Sequence, residues 1–309
     1  MNLSSAYLLV FHGSRDPRPA IAVEQLAQLV NQEIQQRYHL GNKSGDKGQD
    51  VAPHLSYADS PQSPRHLLKP TAAPAPATIC HPHLPLVGTA CLELGPQPLH
   101  QQIQQFGDRL LALSHLKNQQ MLQVESPVMQ LVPLFLLPGV HVMEDIPAEV
   151  ELAQTALGAN LNLQVSPYLG THSNLSQLLA TPMSTTAVDA WILLSHGSRR
   201  PEANAPIEAI AAELNAVPAY WSVPPSLEST VADLVQMGHR RVGILPYFLF
   251  AGGITDAIAQ LVTQLSRQFP DVELILAEPL GTSPALASLV LDLPLNFAPS
   301  YSAQSSAQR

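Results

Sequence analysis

Charge is scarce in these 309 residues: Asp, Glu, Lys and Arg together make up 13%, and the formal net charge is −9. General nucleic-acid binding needs a basic surface, so that role is excluded. An anionic ligand would have to be met by a few cations gathered locally. Cysteine is nearly absent, with only Cys80 and Cys91 and no CxxC. Two cysteines make no disulfide framework. Cys91 lies in an apolar run and reads as core, and a reducing cytoplasm is the simplest setting. Met1 to Phe11 has no basic region and no long apolar run, so it does not read as a signal peptide. No stretch reaches the roughly 18 apolar residues that a membrane span requires. What remains is a chain that is 46% hydrophobic and long enough for two ordinary α/β domains.

The chain repeats itself. Residues 6–15 read AYLLVFHGSR and residues 190–199 read AWILLSHGSR. In each, an apolar strand runs into His-Gly-Ser-Arg and then into a proline-containing helix start. A second pair is LVPLFLLPG at 131–139 and ILPYFLFAG at 244–252, in which Pro133 aligns with Pro246. The first half is longer because of an insert, roughly 41–85, rich in Pro, Ala, Ser, Gly and His and without periodicity. CHPH at 80–83 could ligate a metal, but no second ligand cluster lies near it. A flexible, solvated excursion is the better reading.

Helical spacing is clear in Ile146, Val150, Ala153 and Leu157, in Ile207, Ile210, Ala211 and Leu214, and from Ile254 to Phe269. The expected strands are 6–11, 86–94, 129–137, 161–168, 190–195, 218–223, 242–250 and 272–278. Most are near-continuous apolar runs, as parallel strands covered on both faces require. The pattern predicts an α/β fold of two similar half-domains, each a parallel sheet flanked by helices. The halves are expected at 1–180 and 189–297, with a disordered Ser/Gln/Ala-rich tail at 298–309.

His12 directly follows the first strand, and His141 follows the strand at 129–137 through Pro138-Gly139-Val140. Asp145 and Pro147 mark the helix start beyond it. Open α/β sheets bind ligands at the carboxyl ends of their strands, where both imidazoles are expected. Two imidazoles there can hold a divalent cation, or one can hold it while the other moves protons. Glu93, in CLELGPQ, stands at a third strand end and could ligate metal or accept a proton. In the second half His196 is kept, but Ile254 stands where His141 would be and AYWSVPP has no carboxylate. A full site is therefore expected in the first half only. Arg15, Arg18, Arg199 and Arg200 follow the two HGS turns and could pair with ligand carboxylates.

VFHGSRDPR at 10–18, Glu93 in CLEL, and PLFLLPGVHVMEDIP at 133–147 resemble the sirohydrochlorin chelatases of the class II chelatase superfamily, in their long two-half form. The resemblance covers roughly residues 6–38, 86–170 and 189–291. The insert and GPQP at 95–98 depart from it. It implies a chelatase-like fold and a lyase that inserts Co(II) or Fe(II) into sirohydrochlorin, towards cobalamin or siroheme. By motif, His12 would be metal ligand and proton acceptor, His141 the second ligand, and Glu93 the active-site carboxylate. Arg15 and the run Leu136, Leu137, Pro138, Gly139 and Val140 would line the substrate. The metal would be a substrate, with no tightly bound cofactor, no nucleic acid and no membrane as partner, and the chain would work as a monomer or homodimer.

Rival readings are weaker. There is no G-x-S-x-G elbow for an α/β-hydrolase. Phe11 and Ser195 precede His-Gly where a histidine-nucleophile phosphotransfer enzyme would carry Arg. A carrier that holds metal or tetrapyrrole without turnover remains the non-enzymatic alternative.

Overall fold

The computed structural model describes residues 6–43, 84–118 and 126–293. Most of the insert, with Cys80 and the CHPH motif, and the tail lie outside the described residues. Eight strands form two parallel four-stranded sheets. The first contains β1 (Ala6–Phe11), β2 (Leu86–Cys91), β3 (Val128–Pro133) and β4 (Asn162–Val165), in the order β2-β1-β3-β4. The second contains β5 (Ala190–Ser195), β6 (Ala216–Tyr220), β7 (Arg241–Pro246) and β8 (Glu273–Leu276), in the order β6-β5-β7-β8. The two sheets have the same topology, and Val10 pairs with Pro133 as Leu194 pairs with Pro246.

Helices occupy both faces of each sheet. The first half has α1 (Pro17–Lys43), α2 (Leu99–Asn118), α3 (Ile146–Leu157) and α4 (Leu175–Thr185). The second has α5 (Ala205–Glu213), α6 (Leu227–Gln236), α7 (Gly253–Gln268) and α8 (Pro284–Asp292). Strand alternation divides the core. Tyr7 and Leu9 of β1, with Trp191 and Leu193 of β5, enter one central cluster that also holds residues of α1, α4, α5 and α8. Leu8 and Val10 instead face α2 and α3, and Ile192 and Leu194 face α6 and α7. The two halves thus share a central apolar layer, and the inner strands are covered on both sides. Truncating a fully buried leucine such as Leu9 to alanine would cost about 2–5 kcal/mol. Among the described residues no helix is long and apolar enough to cross a membrane.

Several expected boundaries shift. The strands predicted at 86–94, 129–137 and 242–250 end at Cys91, Pro133 and Pro246. The apolar runs continue because Leu134 and Tyr247 still pack into the central cluster after strand pairing stops. Helix α1 reaches Lys43, so its end occupies the first residues assigned to the insert. The helix expected to start near Asp145 begins instead at His141, with a π-helical turn, His141–Asp145, leading into α3.

His172, just before α4, is buried at 8% exposure. Its Nδ1 accepts from the Asn174 amide at 3.1 Å, while Nε2 has no partner. Burial pushes this imidazole below its ordinary value of 6.5, with nearby Asp292 opposing weakly. A pKa lowered by folding contributes stability that is complete above 6.5 and is lost as pH falls through the folded value. The expected outcome is a lower denaturation midpoint at pH 5 than at pH 7. His172→Asn, which retains an acceptor for the Asn174 amide, should flatten that dependence in paired urea titrations.

Candidate metal centre

In the first sheet, β2 and β3 both neighbour β1, so the chain reverses direction across β1 and leaves a crevice at the carboxyl ends of the strands. His12, Glu93 and His141 follow β1, β2 and β3 respectively. Pairing between β1 and β2 continues past the regular strands: the Leu92 amide donates to Phe11 O at 2.8 Å and the Glu93 amide to His12 O at 2.9 Å. Gly13 makes that approach possible. Its φ is +96°, and a Cβ there would collide with the Glu93 carbonyl oxygen. The residue after Glu93, Leu94, is held at φ +57°. This conformation is costly for a branched side chain, and it turns the chain sharply after Glu93.

The three side chains meet. One ligand atom from each of His12, Glu93 and His141 lies within 4.8 Å of the others. Glu93 Oε2 is 3.9 Å from His12 Nε2, and Oε1 is 4.0 Å from His141 Nε2. The imidazole rings stand edge to face with centroids 4.7 Å apart. Each Nδ1 faces an acceptor: His12 Nδ1 lies 3.0 Å from Gly13 O, and His141 Nδ1 lies 2.7 Å from Asp145 Oδ2. Carrying the proton on Nδ1 satisfies both contacts and leaves both Nε2 lone pairs for the crevice. Bonds of about 2.1 Å at tetrahedral angles would put ligand atoms about 3.4 Å apart, so the two Glu93–imidazole separations would close by roughly half an ångström on a first-row cation. Side-chain exposures of 51% for His12, 50% for Glu93 and 34% for His141 leave the far side of such an ion open to solvent or ligand.

Two residues that the sequence pattern did not single out join the site. Phe135 lies beneath both imidazoles, with centroids 6.4 Å from His12 and 6.3 Å from His141. Asp145, read from the sequence only as a helix-start signal, orients His141. Its signal was present as a His and an Asp four apart, but the π-helical turn that joins them was not. Behind the site, Glu149 of α3 accepts from the His100 amide at 2.7 Å and contacts His100 Nδ1 at 2.8 Å, fastening α2 to α3.

The residues expected to line a substrate separate into two groups. Leu136 and Leu137 pack against the central core, whereas Gly139 and Val140 are exposed, Val140 by 47%. Arg15, Arg199 and Arg200 are exposed and form no ion pair with another described residue. Arg18 differs: it donates to Asp16 and to both carboxylate oxygens of Asp256, and its guanidinium holds both carboxyls below the ordinary carboxylate range. In the second half the same frame carries other side chains. The Ser222 amide donates to His196 O at 3.0 Å, so Ser222 takes the place of Glu93, and Ile254 stands at the place of His141. Among the described residues, His12, Glu93 and His141 are the one grouping of this kind.

The family model described as CbiX matches residues 117–186 and 190–293, more than half of the chain. The chain therefore belongs to the CbiX family. It is 29% identical over 175 residues to the sirohydrochlorin cobaltochelatase of Priestia megaterium, a match covering 52% of this chain and 57% of that protein. It is 31% identical over 114 residues to the chloroplastic sirohydrochlorin ferrochelatase of Arabidopsis thaliana, covering 34% and 50%. The matches thus span between half and two thirds of these curated relatives. Among solved structures, SirB from Bacillus subtilis with Fe3+ superposes with a TM-score of 0.59 at 17% identity, covering 95% of each chain. CbiX, described as the terminal enzyme for biosynthesis of siroheme in denitrifying bacteria, superposes with a TM-score of 0.54 at 19% identity, covering 95% of this chain and all of that one. At such identities these superpositions establish the shared two-half chelatase fold.

Gly13→Ala tests the contact on which the site is built. Its positive φ alone should cost about 1–3 kcal/mol, and the clash with the Glu93 carbonyl adds to that. The expected result is a lower urea midpoint with an unchanged slope.

Proposed function

We propose that this chain is a sirohydrochlorin chelatase that inserts Co(II) or Fe(II) into the macrocycle. The observation that carries the reading is the convergence of two imidazole Nε2 atoms and one carboxylate at the crevice of the first sheet. The curated relatives named for this activity support it. On this reading residues 1–180 form the catalytic half, and residues 189–297 form a half without a full site. All three site residues come from one chain, so a monomer suffices.

The chemistry follows from the residues. A metal in transit must be held by few, exchangeable ligands, and two imidazoles with one carboxylate meet that need. As the divalent ion enters the macrocycle, two pyrrole N–H protons must leave. Each ligand atom that releases the metal regains a lone pair beside the nitrogens that are losing protons. His12 Nε2 takes up one proton and Glu93 is placed for the second, so one divalent cation is exchanged for two protons. Phe135 and Val140 offer apolar surface to the ring, and the exposed Arg15, Arg199 and Arg200 would pair with its carboxylates.

Anaerobic assays of sirohydrochlorin with Co(II), Fe(II) or Ni(II) test the proposal and rank the metals. Spectral change no faster than the uncatalysed rate would sink it, and tight binding without turnover would favour a carrier instead. His141→Ala should abolish turnover, a loss of about 10²-fold or more, while His196→Ala should retain most of it. Asp145→Asn should weaken metal binding by roughly 10–100-fold, as loss of the residue that orients a histidine ligand does elsewhere. Calorimetry with Co(II) alone would measure it.

A further inference from the structure

The stretch of the second half that corresponds to the His141 segment has a second use. Equivalent pairing, with the Leu134 amide on Val10 O and the Tyr247 amide on Leu194 O, places residues 247–256 opposite 134–143. In the first half this stretch delivers His141. In the second it delivers Ile254, and it turns two other side chains towards the first half. Asp256 accepts from both terminal nitrogens of Arg18, at 3.0 and 2.6 Å. Arg18 is bonded in turn to Asp16, whose amide donates to Ser14 Oγ within the His12-Gly13-Ser14 turn. Gly252 brings the second-half backbone against the start of α1 just beyond that turn, where a Cβ would lie 3.8 Å from Pro19 and 4.0 Å from Asp16 Oδ2. Tyr247, buried at 3% exposure, donates through a long 3.3 Å hydrogen bond to the carbonyl of Leu136, in the loop leading to His141. On its other side that carbonyl abuts Gly170, whose amide holds Phe135 O at 2.9 Å.

We infer that the second half acts as an external brace for the metal centre, with Asp256 positioning the His12 turn through Arg18 and Tyr247 positioning the His141 loop through Leu136. The inference rests on the reading of His12, Glu93 and His141 as the metal-holding site. It gives the second half a role in the reaction that needs no ligand of its own. Arg18 and Asp256 are about half exposed, and exposed ion pairs contribute little to stability. Their loss should therefore move the ligands more than it moves the fold, and small displacements of reacting groups are expensive.

The test is anaerobic titration of the full chain with Co(II) alone, read by its ligand-field absorption, for wild type, Asp256→Asn, Asp256→Glu and Tyr247→Phe. Thermal midpoints and sirohydrochlorin turnover are measured alongside. Asp256→Asn and Tyr247→Phe should each weaken Co(II) binding by roughly three- to tenfold, short of the loss expected on removing a direct partner of a ligand. Their spectra should alter and kcat should fall while KM changes little. Asp256→Glu, which keeps the carboxylate, should recover most of the affinity. Wild-type affinity and spectrum in both Asp256→Asn and Tyr247→Phe would overturn the brace, as would equal losses in Asp256→Asn and Asp256→Glu. A wild-type chain that gives no Co(II) spectrum would overturn the metal-site reading itself. Binding in wild type with indifferent variants overturns the brace alone.

Discussion

The candidate metal centre depends on two backbones lying closer together than most residues permit. Beyond the last regular pair of β1 and β2, the Glu93 amide still reaches His12 O at 2.9 Å, and Gly13 packs against the Glu93 carbonyl with no Cβ between them. A parallel sheet brings all its carboxyl ends to one edge, but that alone would leave a histidine and a carboxylate on separate loops. Continued pairing sets Glu93 beside His12, and Leu94 at φ +57° turns the chain away immediately afterwards. From the other side of β1, the Leu134 amide on Val10 O begins the loop that returns His141 to the same point.

The second half follows the same backbone course with different side chains. Its strands have the same order, and Ser222 repeats the amide contact of Glu93. Pairing in the sheet and the shared apolar layer constrain the backbone, while residues beyond the strand ends are less bound by either. Function can therefore be lost or redirected at those ends without changing the fold. At these ends the second half carries His196, Ser222 and Ile254, and its Tyr247 and Asp256 bond to Leu136 and Arg18 of the first half.

Few charges are available, and those that join the halves are concentrated. Arg18 reaches Asp256, and Arg37 of α1 reaches Asp292 at 2.7 Å and Ser288 Oγ at 2.7 Å on α8. The central cluster supplies the cohesion, because apolar burial outweighs exposed ion pairs in stability. The charges instead bridge the halves, Arg18 to Asp256 and Arg37 to Asp292. Arg15, Arg199 and Arg200, outside these ties, remain at the two HGSR turns.

The α/β class, the duplication, and the placing of His12, Glu93 and His141 at strand ends were all legible in the sequence. Apolar runs, glycines and prolines are local signals, and a repeat is visible without any structure. So was the asymmetry of the halves, since Ile254 cannot ligate a metal. Other features were decided only in the folded structure. The imidazoles are oriented by Asp145 and Gly13 O, Phe135 is drawn beneath them, and Arg18, one of four arginines alike in sequence, is committed to Asp256. The last depends on how the two sheets pack over one layer; the others depend on how the loops beyond β1 and β3 fold back within the first half. Hydrophobic periodicity specifies which face of an element is buried, but it does not specify which polar group lies across from it. The sequence by itself determined the three residues and the edge they occupy; the loops of the first half decided how the imidazoles are turned, and the packing of the halves decided which carboxylate of the second half Arg18 meets.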